Sequence, residues 1–300
     1  KLKYLSVLGK CMRILLTGAT GFVGRNLLQE LLKYYKVRCL VRKDFGIKDK
    51  NLEIVIGDIR NNNDVKRSVN GVDYVMHAAA VIYNADKETF DINVNGTKNL
   101  VESSKKFKVK KFIFISTENV IYSYCDDAYT NSKREAEEFV KTLPNYLILR
   151  PSVIYGKGDD RYISYLIKFI KKYPIIPVLG SGKNLIQPIY IEDLIRCILN
   201  CIKYNIKGNH LVYGADAISY NSIIRKIQNI LGVKRLVVHI PLILLKPIVF
   251  VYNKLVKNAK IKYKSLSYLK YDRKYDPAYI HKNFKYKPTS LEDGIGKLVG

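Results

Sequence analysis

From Met12 onward the hydrophobic period of the chain keeps changing. Arg13–Thr17 is an apolar run of strand length, and Phe22–Tyr34 sets Val23, Leu27, Leu28, Leu31 and Leu32 at helical spacing. Val37–Val41 and Leu52–Ile56 read as the second and third strands, Asn63–Val69 as a short helix and Tyr74–Ala78 as a fourth strand. A long helix over Glu88–Phe107 and a Phe- and Ile-rich strand over Lys111–Ser116 follow. Then come a helix from about Thr130 to Leu143, stopped by Pro144, and a sixth strand over Tyr146–Arg150. Strands alternating with helices predict an α/β fold with a doubly wound parallel sheet, covered on both faces.

After Gly156 the regularity fades. Pro174, Pro177, Gly180 and Gly182 mark loops, Ile191–Tyr204 a helix and His210–Tyr213 a short strand. Beyond that the pattern is helical in stretches, with no clear strand alternation and no internal repeat. The expected organisation is a larger domain over residues 12–170, to which residues 187–215 return, and a smaller C-terminal domain over residues 171–300.

The turn between the first strand and the first helix reads Thr17-Gly-Ala-Thr-Gly-Phe-Val-Gly24. Gly18 permits a tight turn, Gly21 a close approach to a pyrophosphate, and Gly24 close packing of helix on strand. The helix then offers free N–H groups and the positive end of its dipole to the phosphates. Glycines also serve plain turns, so the strand–turn–helix context is what makes this a dinucleotide site.

The spacing GxxGxxG resembles that of the short-chain dehydrogenase/reductase superfamily, and further motifs follow in the superfamily's order. They are Gly57-Asp-Ile-Arg60, His77-Ala-Ala-Ala80, Asn93-Val-Asn-Gly-Thr-Lys-Asn99 and the pair Tyr129-Thr-Asn-Ser-Lys133. Arg150-Pro-Ser-Val-Ile-Tyr-Gly156, Ile191-Glu-Asp193 and the ending Phe284-Lys-Tyr-Lys-Pro288 with Leu291-Glu-Asp-Gly294 resemble the extended branch, the NAD-dependent epimerase/dehydratase family. The resemblance spans nearly the whole chain from Met12. It implies a Rossmann domain with a smaller substrate domain, and an NAD(P)-dependent dehydrogenase/reductase or epimerase. The implied cofactor-binding set is Gly18, Thr20, Gly21, Phe22, Val23 and Gly24 in the first turn, Asp58 and Ile59 after the third strand, His77, Ala78 and Ala79 after the fourth, Asn95 on the next helix, and Tyr129 with Lys133. The implied catalytic set is Thr117, Tyr129 and Lys133.

The chemistry of these residues agrees with the resemblance. Tyr129 and Lys133 are four apart and share a helix face. A nearby ammonium favours the phenolate, so Tyr129 can exchange a proton with a substrate oxygen while hydride moves at its carbon. Thr117 matches the family's Ser/Thr that hydrogen-bonds that oxygen. Tyr and Lys at helical spacing are common on surfaces, and it is their place after the fifth strand that favours catalysis.

Departures from the family pattern narrow the reaction. Dehydratases of nucleotide sugars place a Glu base where this chain has Asn119, so dehydration is disfavoured. Nucleotide-sugar epimerases carry an Asn and an Arg toward the diphosphate where this chain has Val153 and Ile186. The expected substrate is therefore less phosphate-rich and more apolar: a sterol-like, isoprenoid or lipid-linked sugar alcohol, or its ketone. A nucleotide-sugar epimerase and a non-catalytic dinucleotide-binding assembly protein are the alternatives. Intact Thr117, Tyr129 and Lys133 argue against the second.

NAD-preferring sites place an acid at the end of the second strand to hold the ribose 2′-OH. Here Arg42 and Lys43 stand there, so NADP is the expected cofactor, with NAD the alternative.

Composition adds a partner question. The 300 residues include 52 Lys+Arg against 26 Asp+Glu, a formal net charge of +26. Of those bases 39 are Lys and 13 Arg, and no helix-turn-helix, zinc or RNA-binding aromatic motif accompanies them. That argues for a solvated lysine surface over nucleic-acid binding. Five cysteines without a CxxC fit reduced thiols in a cytoplasmic protein and no metal site. The apolar run Tyr4–Leu8 is too short for a secretory signal, and Met12, directly before the first strand pattern, is a candidate start that the sequence does not decide. Between Asp216 and Asp272 there is no acid, while Leu236–Tyr252 is an apolar stretch flanked by lysines and broken by Pro241, Lys246 and Pro247. It is too short and too broken to span a bilayer. Two readings stand for it: packing within the smaller domain, or peripheral contact with an anionic membrane. A homodimer is compatible with the sequence, which does not select it.

Overall fold

The computed structural model describes residues 12–82, 86–159, 161–244, 247, 249 and 271–299. Most of the apolar stretch after Leu244, the lysines from Lys246 to Lys270 and the segment before Met12 lie outside the described residues. In chain order the strands are β1 (Arg13–Thr17), β2 (Lys36–Val41), β3 (Leu52–Ile56), β4 (Tyr74–His77), β5 (Lys111–Ile115), β6 (Tyr146–Pro151), β7 (Ile154–Tyr155), β8 (Ile175–Leu179), β9 (Leu185–Ile186), β10 (Ile189–Tyr190), β11 (Gly208–Val212), β12 (Ile218–Ser219) and β13 (Leu236–Ile240). The helices used below are α1 (Phe22–Leu31), α2 (Asn62–Val69), α3 (Gly96–Lys106), α4 (Ala128–Lys141), α5 (Tyr162–Lys172), α6 (Ile191–Lys203), α7 (Tyr220–Leu231), α8 (Pro277–Phe284) and α9 (Leu291–Val299).

Seven strands form one sheet in the order β11-β6-β5-β4-β1-β2-β3, and β1 to β6 pair in parallel. Such a sheet is buried on both faces, which is why its strands read as near-continuous apolar runs. Leu15, Leu40, Val75, Phe112 and Ile148 of the strands form one buried cluster with Val65, Leu100 and Val140 of the helices. This is the doubly wound Rossmann-type arrangement that the alternating pattern predicts. The chain order reverses between β1 and β4, and ligands of such sheets bind at the carboxyl ends of the strands there.

The described chain forms two compact units. The first holds everything up to Val120, with Ala128–Arg150 and Ile198–Leu211; the second holds Ile121–Asp127, Pro151–Cys197 and everything from Val212. Residues 151–170 thus fall with the second unit, and of residues 187–215 only Ile198–Leu211 fall with the first. Local pairing gives the reason: β7 pairs β10 away from the main sheet, and β9 pairs β12.

Two further differences from the sequence reading have physical causes. The helix expected over Glu88–Phe107 contains one π-helical turn, Asp91–Asn95, between Asp86–Phe90 and α3. Such turns recur at functional sites because they re-aim a side chain; here Asn93 is turned into the interior and is 1% exposed. The second difference is a strand where loop and helix were expected. Leu236–Ile240 is β13, parallel to β8, and Pro177 sits inside β8. A two-stranded ribbon is all edge, where a proline's missing N–H is tolerated.

Candidate active site

The turn after β1 is built for close approach. Gly18 has φ +76°, and a Cβ there would lie 2.5 Å from the backbone nitrogen of Ala79. A Cβ on Gly24 would strike the Gly18 carbonyl, so α1 can begin directly on the turn. The Gly21 N–H donates to the Gly18 carbonyl at 3.0 Å, and the Ala78 N–H to the Thr17 carbonyl at 3.2 Å. Gly18, Ala78 and Ala79 are thereby brought together. Helix α1 starts after Gly21 with no side-chain cap and no acid in its first turn. Its leading N–H groups, Phe22 and Val23 among them, remain to be satisfied, and Thr20 and Gly21 are exposed beside them. An uncapped helix start against a glycine turn fits a pyrophosphate.

Next to this turn lie the residues expected at the adenosine end. Arg42 is exposed just past β2 and makes no hydrogen bond or ion pair among the described residues. Asp58 is half-buried and tied to Arg60, whose Nη2 donates to Oδ2 at 2.7 Å and whose Nε donates to Oδ1 at 3.1 Å. Those hydrogen bonds hold the Asp58 carboxyl below the usual range despite burial. Ile59 is buried, and Asn99 of α3 fixes this loop by donating to the Ile59 and Arg60 carbonyls. Asn95 is exposed and donates to Asp91, its own helical neighbour, at 3.1 Å.

At the carboxyl end of β5 the strand delivers Thr117, half-buried, while α4 brings Tyr129 in its first turn and Lys133 one turn later. Lys133 is 1% exposed. Its ammonium donates to the Ile115 carbonyl at 2.7 Å and lies 3.8 Å from the centre of the Phe114 ring. Among the described residues that carbonyl is its only hydrogen-bond acceptor. Beyond that carbonyl and the Phe114 face the buried ammonium has donor capacity left among the described residues, which fits a site made to take a further acceptor such as a ribose hydroxyl. Burial lowers Lys133 to about 7, against the upward pull of Glu137.

The side chains beneath hold this arrangement. The His77 ring is 1% exposed and stacks on Phe114 with centroids 5.3 Å apart. Thr97 donates its hydroxyl to the Asn93 carbonyl, so it accepts from His77 Nε2, and His77 Nδ1 accepts from the Thr17 hydroxyl. Burial, and then the Lys133 charge, keep this imidazole well below its ordinary pKa. The ring is therefore a neutral cross-link from β4 to β1 and α3. Both its nitrogens are engaged within the fold.

Two features carry structure that residue-by-residue nomination passed over. Asn93 pairs with both backbone groups of Val81 and donates to Ser132 Oγ at 2.9 Å, linking the loop after β4 to the helix of Tyr129 and Lys133. Glu137 takes Ser116 Oγ at 2.6 Å and Arg150 Nη2 at 2.5 Å, fixing α4 against the ends of β5 and β6. Asn93 opens the motif that nominated Asn95, so the signal was present; Glu137 had none.

In the second unit the motif Ile191-Glu-Asp193 is a fastening. Buried Asp193 accepts from the Thr289 N–H at 2.6 Å and the Thr289 hydroxyl at 3.0 Å, and Glu192 pairs with Lys297 at 2.9 Å. Gln187 accepts from the Tyr275 N–H at 2.8 Å and donates to the Gly214 carbonyl at 2.9 Å. Ile186, next to it in β9, and Val153, just before β7, are half-buried.

Comparison with known proteins agrees with this geometry. The profile of the NAD dependent epimerase/dehydratase family matches residues 14–214. The chain is 29% identical over 236 residues to 3-beta-hydroxysteroid dehydrogenase of Mycolicibacterium neoaurum, covering 68% of this chain and 63% of that protein. It thus spans less than two thirds of that relative's length. It is 30% identical over 231 residues to UDP-glucose 4-epimerase of Vibrio cholerae, covering 68% of this chain and 70% of that one. Among solved structures, UDP-glucose 4-epimerase of Thermus thermophilus in complex with NAD superposes with TM-score 0.73 at 18% identity, over 96% of this chain and 98% of that one. At that identity the match shows the fold. With its glycine turn, its Tyr129–Lys133 pair and a profile match over two thirds of its length, the chain belongs to the NAD-dependent epimerase/dehydratase family.

Proposed function

We propose that the protein is an oxidoreductase that interconverts a secondary alcohol and a ketone on an apolar, sterol- or lipid-like substrate, with NADP(H) as cofactor. The observation that carries this reading is Lys133: a buried cation with unspent donors, one turn after Tyr129, at the carboxyl end of β5. The cofactor, when bound, supplies or accepts the hydride at the substrate carbon. Tyr129 gives a proton to the carbonyl oxygen in reduction and takes it from the hydroxyl in oxidation. Thr117 donates a hydrogen bond to the same oxygen and fixes its position. The Lys133 ammonium favours the Tyr129 phenolate and holds the ribose next to it. Glycine turn and α1 bind the pyrophosphate, and Arg42 meets the 2′-phosphate. Both domains of the sequence reading have a part in this: the nucleotide domain holds the cofactor and the smaller one selects the substrate.

An apolar substrate is supported by Val153 and Ile186, which stand where a diphosphate would want polar donors, and by the similarity to 3-beta-hydroxysteroid dehydrogenase. Such a substrate is drawn from a membrane, so we place the protein in the cytoplasm at a membrane surface. The similarity to UDP-glucose 4-epimerase favours a second reading, in which hydride returns to the other face of a nucleotide sugar. One experiment separates them. NADPH oxidation is followed with a 3-ketosteroid, a long-chain ketone and UDP-glucose, with products resolved by stereochemistry. Turnover of an apolar ketone supports the proposal; saturable turnover of UDP-glucose to its epimer sinks it.

A further inference from the structure

Residues 161–191 and 217–271 contain no Asp or Glu. In the second unit these two acid-free stretches meet. β13 lies parallel to β8, with Leu236 opposite Ile175 and Val238 opposite Pro177. The strand period puts those four on one face and Ile176 and Val178 on the other. Ile176 and Val178 are buried; the outer four are exposed. Leu236 is 63% exposed, and past the carboxyl end of the ribbon Ile243 and Leu244 are 77% and 59% exposed. Large apolar side chains seldom gather in water this way without a partner.

The amino end of this face is basic. Lys171 and Lys172 in the last turn of α5, and Lys234 just before β13, are exposed. None of the three has a carboxylate partner among the described residues, whereas Lys226 of α7 is paired with Glu292. Arg235 fastens the two parts together. Its Nε donates to the Ile170 carbonyl at 3.0 Å and its Nη2 to the Lys171 carbonyl at 3.2 Å. The lysine-bearing end of α5 is thus held against the start of the apolar ribbon. Tyr173 continues the apolar surface between them, its ring 4.6 Å from that of Phe169.

We propose that this face docks the protein on an anionic lipid bilayer, with Leu236, Val238, Ile243 and Leu244 entering the acyl boundary and Lys171, Lys172 and Lys234 meeting lipid phosphates. An apolar face with ammonium groups free of carboxylate partners at its amino end matches a surface that is anionic outside and apolar beneath. Nucleic acid would engage the lysines and leave Leu236 and Ile243 in water. The inference rests on the reading that the substrate is apolar and membrane-borne, and it specifies the surface used.

The test is sedimentation of the full chain with vesicles of phosphatidylcholine alone and of phosphatidylcholine with phosphatidylserine at three to one. The native protein is expected to pellet with the anionic vesicles and not the neutral ones, and high salt should release it. Lys171→Gln/Lys172→Gln/Lys234→Gln should weaken binding by about 100-fold, at roughly fivefold per lysine. Leu236→Ser/Ile243→Ser should weaken it by at least about tenfold. Both variants should keep the native melting temperature and native NADPH oxidation with a soluble ketone, because all five side chains are exposed. If the native protein binds anionic vesicles and both variants bind as well, the surface proposed is wrong while the membrane reading stands. If the native protein stays in the supernatant at low salt, both fall. Concentration-dependent dimers abolished by Leu236→Ser/Ile243→Ser, without vesicle binding, would make the occupant a second copy and overturn the proposal.

Discussion

Two buried lysines lie against opposite ends of β5, and their surroundings differ. Lys111 opens the strand, and its ammonium donates to the Cys201 carbonyl at 3.3 Å, Asn205 Oδ1 at 3.1 Å and the Ile206 carbonyl at 2.8 Å. All three of its donors are spent. Lys133 meets the other end of the strand with one carbonyl at 2.7 Å and an aromatic face. Burial lowers both, Lys111 to about 8 and Lys133 to about 7. A buried cation with every N–H partnered fastens a fold; one with donors left over burdens the fold and answers to a ligand. The amino edge of this sheet is therefore closed structure, and the carboxyl edge is where the proposed function places the dinucleotide and its substrate.

The largest expected effect is at the carboxyl edge. Tyr129→Phe keeps the ring and removes the proton carrier, so turnover should fall by about 100-fold or more, with cofactor affinity nearly unchanged. If single-turnover assays of this variant retain most of the native rate, the active site has been misassigned.

The next effect sets the two lysines against each other. Lys133→Met should lower both turnover and cofactor affinity. Lys111→Met should leave both near native and lower the melting temperature. Fluorescence titration with NADPH and thermal unfolding, run on the two variants side by side, decide the matter. Equal losses of turnover, at a temperature where both are folded, would erase the distinction between the two edges.

The same contrast explains what was legible in the sequence. Most of the first unit follows chain order, so β1 with its glycines, and Thr117, Tyr129 and Lys133 after β5, announce themselves through spacing. What the spacing hides is orientation. Asn93 and Asn95 stand two apart in one motif, and only the π turn at Asp91–Asn95 decides that Asn93 faces inward and Asn95 the solvent. His77 likewise fits a cofactor-lining motif while its ring is spent on Thr17 and Thr97. The second unit joins segments far apart in the chain. β8 finds β13 some sixty residues later, and Asp193 finds Thr289. Neither pairing leaves a local period, and Pro177 reads as a loop because the sequence does not reveal that its strand is an edge.

A smaller effect, about tenfold, is expected at the adenosine end. Arg42 is exposed and makes no hydrogen bond or ion pair among the described residues. If it meets a 2′-phosphate as proposed, Arg42→Ala should weaken NADPH binding by about tenfold, the worth of one charge-assisted hydrogen bond, and leave NADH binding unchanged. Tighter binding of NADH than NADPH by the native protein would reverse the cofactor assignment. It would leave the carboxyl-edge site intact, because Lys133 and Tyr129 do not read the 2′ position.

The smallest effect is a slope with pH, and it returns to Lys111. Its folded-state pKa, about 8, lies below the ordinary 10.5 because burial disfavours the ammonium. Between those values the unfolded chain binds more protons than the folded one, so stability must rise with pH through that window. Equivalently, the stabilisation this group permits is complete above about pH 10.5 and is lost as pH falls through about 8. Lys133 contributes a slope of the same sign, beginning lower. Urea unfolding of the native protein between about pH 7 and pH 9 should show a gain on the order of 1 kcal/mol from Lys111 and about twice that from Lys133. Lys111→Met should flatten the upper part of that slope and leave the lower part, which belongs to Lys133. Lys133→Met should remove the lower part and also reduce the upper part, to which both lysines contribute. A native protein that loses stability over this range, or a Lys111→Met variant with an unchanged slope, would mean that Lys111 is solvated and that the amino edge of the sheet is not closed. The three acceptors around its ammonium, two carbonyls and an amide oxygen, would then have to turn to water, and the Ile198–Leu211 segment they belong to would lose this fastening to the rest of the first unit.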